Sequence, residues 1–173
     1  MKKVPGNLIL RFCFLNMLLS LLLTAPLSLS AQVYTGDLTL TSQEAVDAFS
    51  YTEVTGFLSI KGYFITNLSG LSSLTSVGGG VRIPYADELT TLDGLSSLTS
   101  VGGHIFINDN AALTSLDGLS SLKSVKGSLQ IYNNPVLTNL DDLSSLTSVG
   151  KDVHISSNDS LTNLDGLSSL TSV

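Results

Sequence analysis

The stretch that decides the fold is Val101–Ser124, VGGHIFINDNAALTSLDGLSSLKS. It is followed by a near copy of itself and preceded by another. Val77, Val101, Val125, Val149 and Val173 stand 24 residues apart, as do Leu74, Leu98, Leu122, Leu146 and Leu170, and Leu68, Leu92, Leu116, Leu140 and Leu164. A period of this length, held without drift, is the signature of a solenoid: one unit cannot bury its apolar face alone, and stacking neighbours supplies the core.

Within the unit, period-two alternation holds only at Ile105 and Ile107, which predicts one short strand with Phe106 facing out. The later Leu-x-x-Leu spacing at Leu113, Leu116, Leu119 and Leu122 is filled with Ser, Thr, Gly and Asp. Those residues favour turns over helix interiors, so each unit is read as a strand, a corner, and short extended or 3₁₀ segments. The expected fold class is mainly β: a right-handed, β-helix-like leucine-rich solenoid of 24-residue coils.

Two polar columns repeat with the leucines. Asn110, Asn134 and Asn158 recur after the strand, and stacked about 4.8 Å apart they are expected to form an internal ladder that satisfies backbone groups at the corner. Ala86 takes the place in the second unit. Asp93, Asp117, Asp141 and Asp165 form the other column. It reads either as a calcium ladder or as turn capping, each carboxylate accepting N–H groups of the turn after it. Capping fits better, because the calcium repeat needs GGxGxDxUx and here Gly102-Gly103 is followed by His104-Ile105-Phe106-Ile107. Asp142 replaces the glycine after Asp141 and is expected to take left-handed geometry there.

The chain opens on Met1-Lys2-Lys3 and Arg11, continues with an apolar run from Phe12 to Leu23, and reaches Ser28-Leu29-Ser30-Ala31. Basic start, apolar middle and small residues are the order of a secretory signal, with cleavage expected after Ser30 or Ala31. Residues 1–31 are therefore assigned to a signal peptide, 32–53 to a cap and 54–173 to a solenoid of about five coils. In the cap, Asp37–Leu40 reads as a strand, Thr41-Ser42-Gln43-Glu44 as a capping box, and Gln43–Phe49 as a short helix burying Val46 and Phe49. No matching C-terminal cap is seen, so the last coil offers a surface for end-to-end contact. The expected location is secreted or cell-surface, with no membrane association after signal cleavage.

Charge and cysteine content exclude several functions. Three of eight basic residues lie before Ala31 and all fourteen acidic residues after it, leaving the remainder near −9. Nucleic-acid binding needs a basic footprint and is not expected. The single cysteine, Cys13, lies in the signal, so the expected mature domain has no disulfide.

These features together resemble the receptor L-domain family, and the bacterial form in particular. The resemblance is carried by YTGDLTLTSQEAVDAF at Tyr34–Phe49, by GLSSLTSVGG at Gly70–Gly79 and Gly94–Gly103, and by the Ile-x-x-Asn-x-x-Leu-Thr-x-Leu spacing within Ile131–Leu143. It implies leucine-rich solenoids like those of growth-factor and insulin receptor ectodomains and bacterial surface proteins, with binding or display rather than catalysis. Family members often carry disulfides.

The LxxLDGLSSLxSV half of the unit barely changes, which fits scaffold. Outward strand positions vary: Ser59, Arg82, Phe106, Gln130 and His154. So do the flanking Phe57, Gly80, His104, Ser128 and Asp152, and the positions after the strand, Lys61, Pro84, Asn108, Tyr132 and Ser156. Arg82, Tyr85, Phe106, Gln130, Tyr132 and His154 are the candidate binding face, and a protein or glycan is the expected partner. No cofactor or metal is expected. His104 and His154 are two coils apart, too far for one metal, and no nucleophile–base pattern appears, so the chain does not read as an enzyme. A purely structural surface spacer is the alternative, and a β-helix carbohydrate-active enzyme a more distant one.

Overall fold

The structure, a computed structural model, describes residues 31–173. Residues 1–30, which hold Cys13 and all but the last residue of the expected signal peptide, lie outside the described residues.

The described chain is mainly β, built as two parallel six-stranded sheets. The longer strands are β2 (Leu38–Leu40), β4 (Leu58–Ile60), β6 (Val81–Pro84), β8 (Ile105–Asn108), β10 (Leu129–Tyr132) and β12 (Val153–Ser156), which pair in that order. Ile105 sits beside Val81 on one side and Leu129 on the other, and Leu129 beside Val153. Register keeps every inward residue inward, because a one-residue slip would turn the apolar set to solvent. The step from β4 to β6 is one residue shorter than those after it, Leu58 pairing with Val81 and Val54 with Val77.

The second sheet consists of two-residue strands: β1 (Val33–Tyr34), β3 (Glu53–Val54), β5 (Ser76–Val77), β7 (Ser100–Val101), β9 (Ser124–Val125) and β11 (Ser148–Val149). The single strand per unit read from the sequence is thus two. Ser-Val is too short for any period to register, yet the β-branched valine is buried in each copy from Val54 to Val149.

Between the sheets the leucines line one continuous core, with Leu68, Leu71, Leu74, Leu92, Leu95, Leu98, Leu116 and Leu122 all essentially inaccessible. The chain turns through 3₁₀ segments at Ser69–Leu71, Asp93–Leu95, Asp141–Leu143 and Asp165–Leu167. In three of the four segments, close approach requires glycine at the middle position, and Asp142 takes that place in Asp141–Leu143. A Cβ on Gly94 would lie 1.6 Å from the Leu68 carbonyl oxygen, and one on Gly166 1.7 Å from that of Leu140.

The aspartate column does not cap these turns. Asp93, Asp117, Asp141 and Asp165 are exposed, and the 3₁₀ turns close through backbone, Ser96 N–H donating to Asp93 O at 3.2 Å. The capping side chain stands two residues earlier: Asn139 Oδ1 accepts from Asp141 N–H, Asn163 Oδ1 from Asp165 N–H and Ser115 Oγ from Asp117 N–H, each at 3.0 Å. An Asx or Ser/Thr turn reaches the N–H two residues on, whereas a carboxylate at the first turn position points to water.

The replacement at Asp142 is also accommodated differently from expectation. Asp142 is not left-handed. The left-handed residue is Gly118, one coil before it, at φ +108, and that coil lacks the 3₁₀ segment present in the others. A side chain at 142 occupies the space between neighbouring turns, and glycine at 118 lets the facing turn change course. The Asp142 carboxyl accepts from Ser115 Oγ at 3.2 Å. Burial first, then the negative charge of Asp117 and a hydrogen bond between the two carboxyls, hold its pKa above the ordinary range.

Polar columns tie coil to coil. Asn110, Asn134 and Asn158 are buried. Each Nδ2 donates to a strand carbonyl of the coil before, Asn110 to Ile83 O at 2.9 Å, Asn134 to Ile107 O at 3.0 Å and Asn158 to Ile131 O at 2.9 Å. Asn110 Oδ1 accepts from Ala86 N–H at 3.0 Å, so the coil with alanine is held from its neighbour. Threonine columns, unnoticed in the sequence, do similar work outside: Thr99 Oγ1 donates to Thr75 O and Thr114 Oγ1 to Thr90 O, both at 3.1 Å.

Before the first coil, α1 spans Gln43–Asp47. Its N-cap is Ser42, whose Oγ accepts from Ala45 N–H at 3.3 Å. The helix thus starts one residue later than a Thr41 capping box requires, and Glu44 falls short of the third helical position. Gln43 turns elsewhere: its Oε1 accepts from Thr66 N–H at 3.0 Å, stapling helix to coil. Val46 and Phe49 are buried, and a Cβ on Gly70 would lie 2.0 Å from Val46 O. The helix therefore takes the place in the stack that a preceding 3₁₀ turn would take.

Candidate ligand-binding face

The outward side of the longer-strand sheet carries one side chain per strand in register: Thr39, Ser59, Arg82, Phe106, Gln130 and His154. In-register parallel pairing sets these neighbours about 4.8 Å apart. The strand is four residues long in β8 and β10, so Tyr132 belongs to β10 itself, beside Asn108 and Ser156.

Arg82 is the centre of the ordered part of this face. Its guanidinium carbon lies 5.6 Å from the Phe57 ring centroid and 5.0 Å from that of Phe106. Two rings from the coils on either side hold one cation by their negative faces. Phe57 is fixed in turn by Asp37, whose Oδ1 accepts from Phe57 N–H at 2.7 Å. Beside Arg82 opens a groove of about 340 Å³, lined by Asp37, Leu38, Thr39, Phe57, Ser59 and Arg82.

The sequence reading placed Arg82 and Phe106 on this face and listed Phe57 only in a flanking column. It did not find Asp37 or Thr39. The signal for them was weak: β2 belongs to the cap, outside the repeat, and only its pairing with β4 brings Thr39 beside Ser59.

Further along, His104 and Phe106 stack at 5.6 Å between ring centroids, and His104 Nδ1 accepts from Ser128 N–H at 3.0 Å. Tyr132 meets His154 edge to face at 6.4 Å, and His154 Nε2 pairs with Ser156 Oγ at 2.9 Å. Gln130 lies in the column between Phe106 and His154. Tyr85 is set apart. It lies one residue past β6 at a left-handed corner, φ 55, where the following coils place Asp109 and Asn133, and its ring is exposed.

Among the described residues no group of three or more His, Cys, Asp or Glu side chains is placed to hold a metal ion, and no helix is long and apolar enough to cross a membrane.

A face of variable, partly aromatic side chains on a rigid leucine-rich stack meets its family at this point. The receptor L domain model matches residues 75–170, more than half of the chain. The chain belongs to the receptor L domain family. Receptor L domains are ligand-binding solenoid domains and are generally non-catalytic. The matched residues of this receptor L domain include the strands β6, β8, β10 and β12 and the core leucines from Leu89 onward, and leave out α1 and the first coil. No curated protein matches the chain.

Proposed function

We propose that this receptor L domain is an exported, non-catalytic binding or adhesion module, a right-handed solenoid of 24-residue coils that recognises a protein or glycan through the outward face of β2 to β12. The observation that carries the reading is the contrast between columns. Inward strand positions stay aliphatic, while the outward column changes chemistry at every strand from Ser59 to His154. A surface of rigid aromatics and one clamped arginine is the composition that dominates recognition interfaces. Export is supported by the basic, apolar and small-residue order of residues 1–31.

The test is a protein and glycan array probed with the purified protein. Binding that disappears in a Phe106→Ala/Tyr132→Ala double variant of unchanged denaturation midpoint supports the reading. An array with no signal above control leaves the chain as a surface spacer.

A further inference from the structure

We infer that the groove beside Arg82 takes a carboxylated sugar, its carboxylate on the Arg82 guanidinium and its C–H face against Phe57. This rests on the strand face being the binding surface, and it names the ligand class for the first three coils.

Charge is the first argument. Arg82 is the one formal cation in the outward column, on a domain whose balance from Ala31 onward is near −9. Attraction for an anion is therefore local to this position, and the rest of the surface discourages acidic ligands from binding elsewhere.

Orientation is the second. Phe57 and Phe106 flank the guanidinium, whose carbon lies 5.6 and 5.0 Å from their ring centroids. Its N–H donors lie in the planar fork that matches a carboxylate two bonds at a time. The rings also hold a long side chain still before any ligand arrives, so less rotamer freedom is lost on binding. Asp37, the nearest acid in the groove, is engaged at Oδ1 by the Phe57 N–H. It holds the Phe57 backbone there, and its second oxygen is an acceptor for a ligand hydroxyl.

The lining is the third. At about 340 Å³ the groove falls in the range of small-molecule sites. It presents the hydroxyls of Thr39 and Ser59 and the carboxylate of Asp37 beside one aromatic ring. That set suits a ligand that is itself hydroxyl-rich on its edges and apolar on one face. A glutamate side chain of a peptide would use the arginine and leave the hydroxyl groups to water.

The experiment titrates the purified full chain calorimetrically with galacturonate oligomers, with galactose oligomers as the neutral arm and a glutamate-rich peptide as the acidic-peptide arm. The acidic sugar is expected to bind at least about tenfold more tightly than the neutral one. Arg82→Gln is expected to remove at least about tenfold of that affinity, and the remaining affinity should lose its salt dependence. Arg82→Lys, which keeps charge and stem but not the fork, gives a smaller loss and serves if the glutamine variant does not fold. Equal binding of acidic and neutral sugars, no sugar binding, or peptide binding as tight as sugar binding overturns the assignment. The broader reading fails separately. An array ligand lost in Phe106→Ala/Tyr132→Ala but kept in Arg82→Gln leaves the face and removes the acidic sugar. A ligand kept in both variants removes both.

Discussion

Asn134 holds Asn110 twice, its Oδ1 accepting from the Asn110 backbone N–H at 3.3 Å and from the Asn110 Nδ2 at 3.0 Å. Its own backbone N–H and Nδ2 then donate to Asn158 Oδ1 at 3.0 and 3.2 Å. One amide column thus satisfies the donors and acceptors of three corners that the leucine core has removed from water.

Asn134→Ala should therefore be costly out of proportion to the atoms deleted. It strands the Asn110 N–H in a dry interior, at about 1–3 kcal/mol, and takes one donor from the Ile107 carbonyl. A total loss of about 2–5 kcal/mol is expected in urea denaturation. Asn158→Ala, at a more accessible corner, should cost less. Equal losses would show that the ladder is not cooperative.

Stability should depend on pH through Asp142. Its pKa is raised in the fold, so between the ordinary carboxylate pKa and that raised value the folded chain holds a proton that the unfolded chain has released. Stability therefore falls as pH rises through this window. Asp142→Asn removes the charge that burial and Asp117 oppose. Its advantage over the parent should grow from acid to neutral pH and then level off, as read from denaturation midpoints at several pH values.

Tyr85 occupies a left-handed corner that its neighbours fill with Asp109 and Asn133. A bulky residue there carries strain of order 1–3 kcal/mol, and asparagine is better suited to it. Tyr85→Asn should raise stability by about 1 kcal/mol, and if the exposed ring serves binding the same variant should lose affinity. A lower midpoint would show that the ring packs favourably at the corner.

Leu116 and Leu164 hold the same place in the repeat, yet Leu116 is fully buried and Leu164 is 52% exposed. Leu116→Ala should cost about 2–5 kcal/mol, as deletion of a packed aliphatic does. Leu164→Ala should stay within about 1 kcal/mol. The pair, measured side by side, separates what a repeat position is worth from what its neighbours make of it.

The sequence by itself determined the stack: a period held by Val77, Val101, Val125 and Val149 leaves the leucines one place to go, because only coil-on-coil packing removes them all from water. It also determined the inward asparagines and the outward variation, since both follow from position within the unit. Tertiary structure decided what depends on contact between coils. The Ser-Val pairs become strands only when stacked. The aspartates lose their capping role to Asn139, Asn163 and Ser115. Gly118 turns left-handed beside the side chain of Asp142. The groove exists only because β2, outside the repeat, pairs with β4 and brings Asp37 and Thr39 to Phe57 and Arg82. Periodicity records what every coil shares, whereas a site is made where adjacent coils differ, and that difference acquires geometry only once they touch.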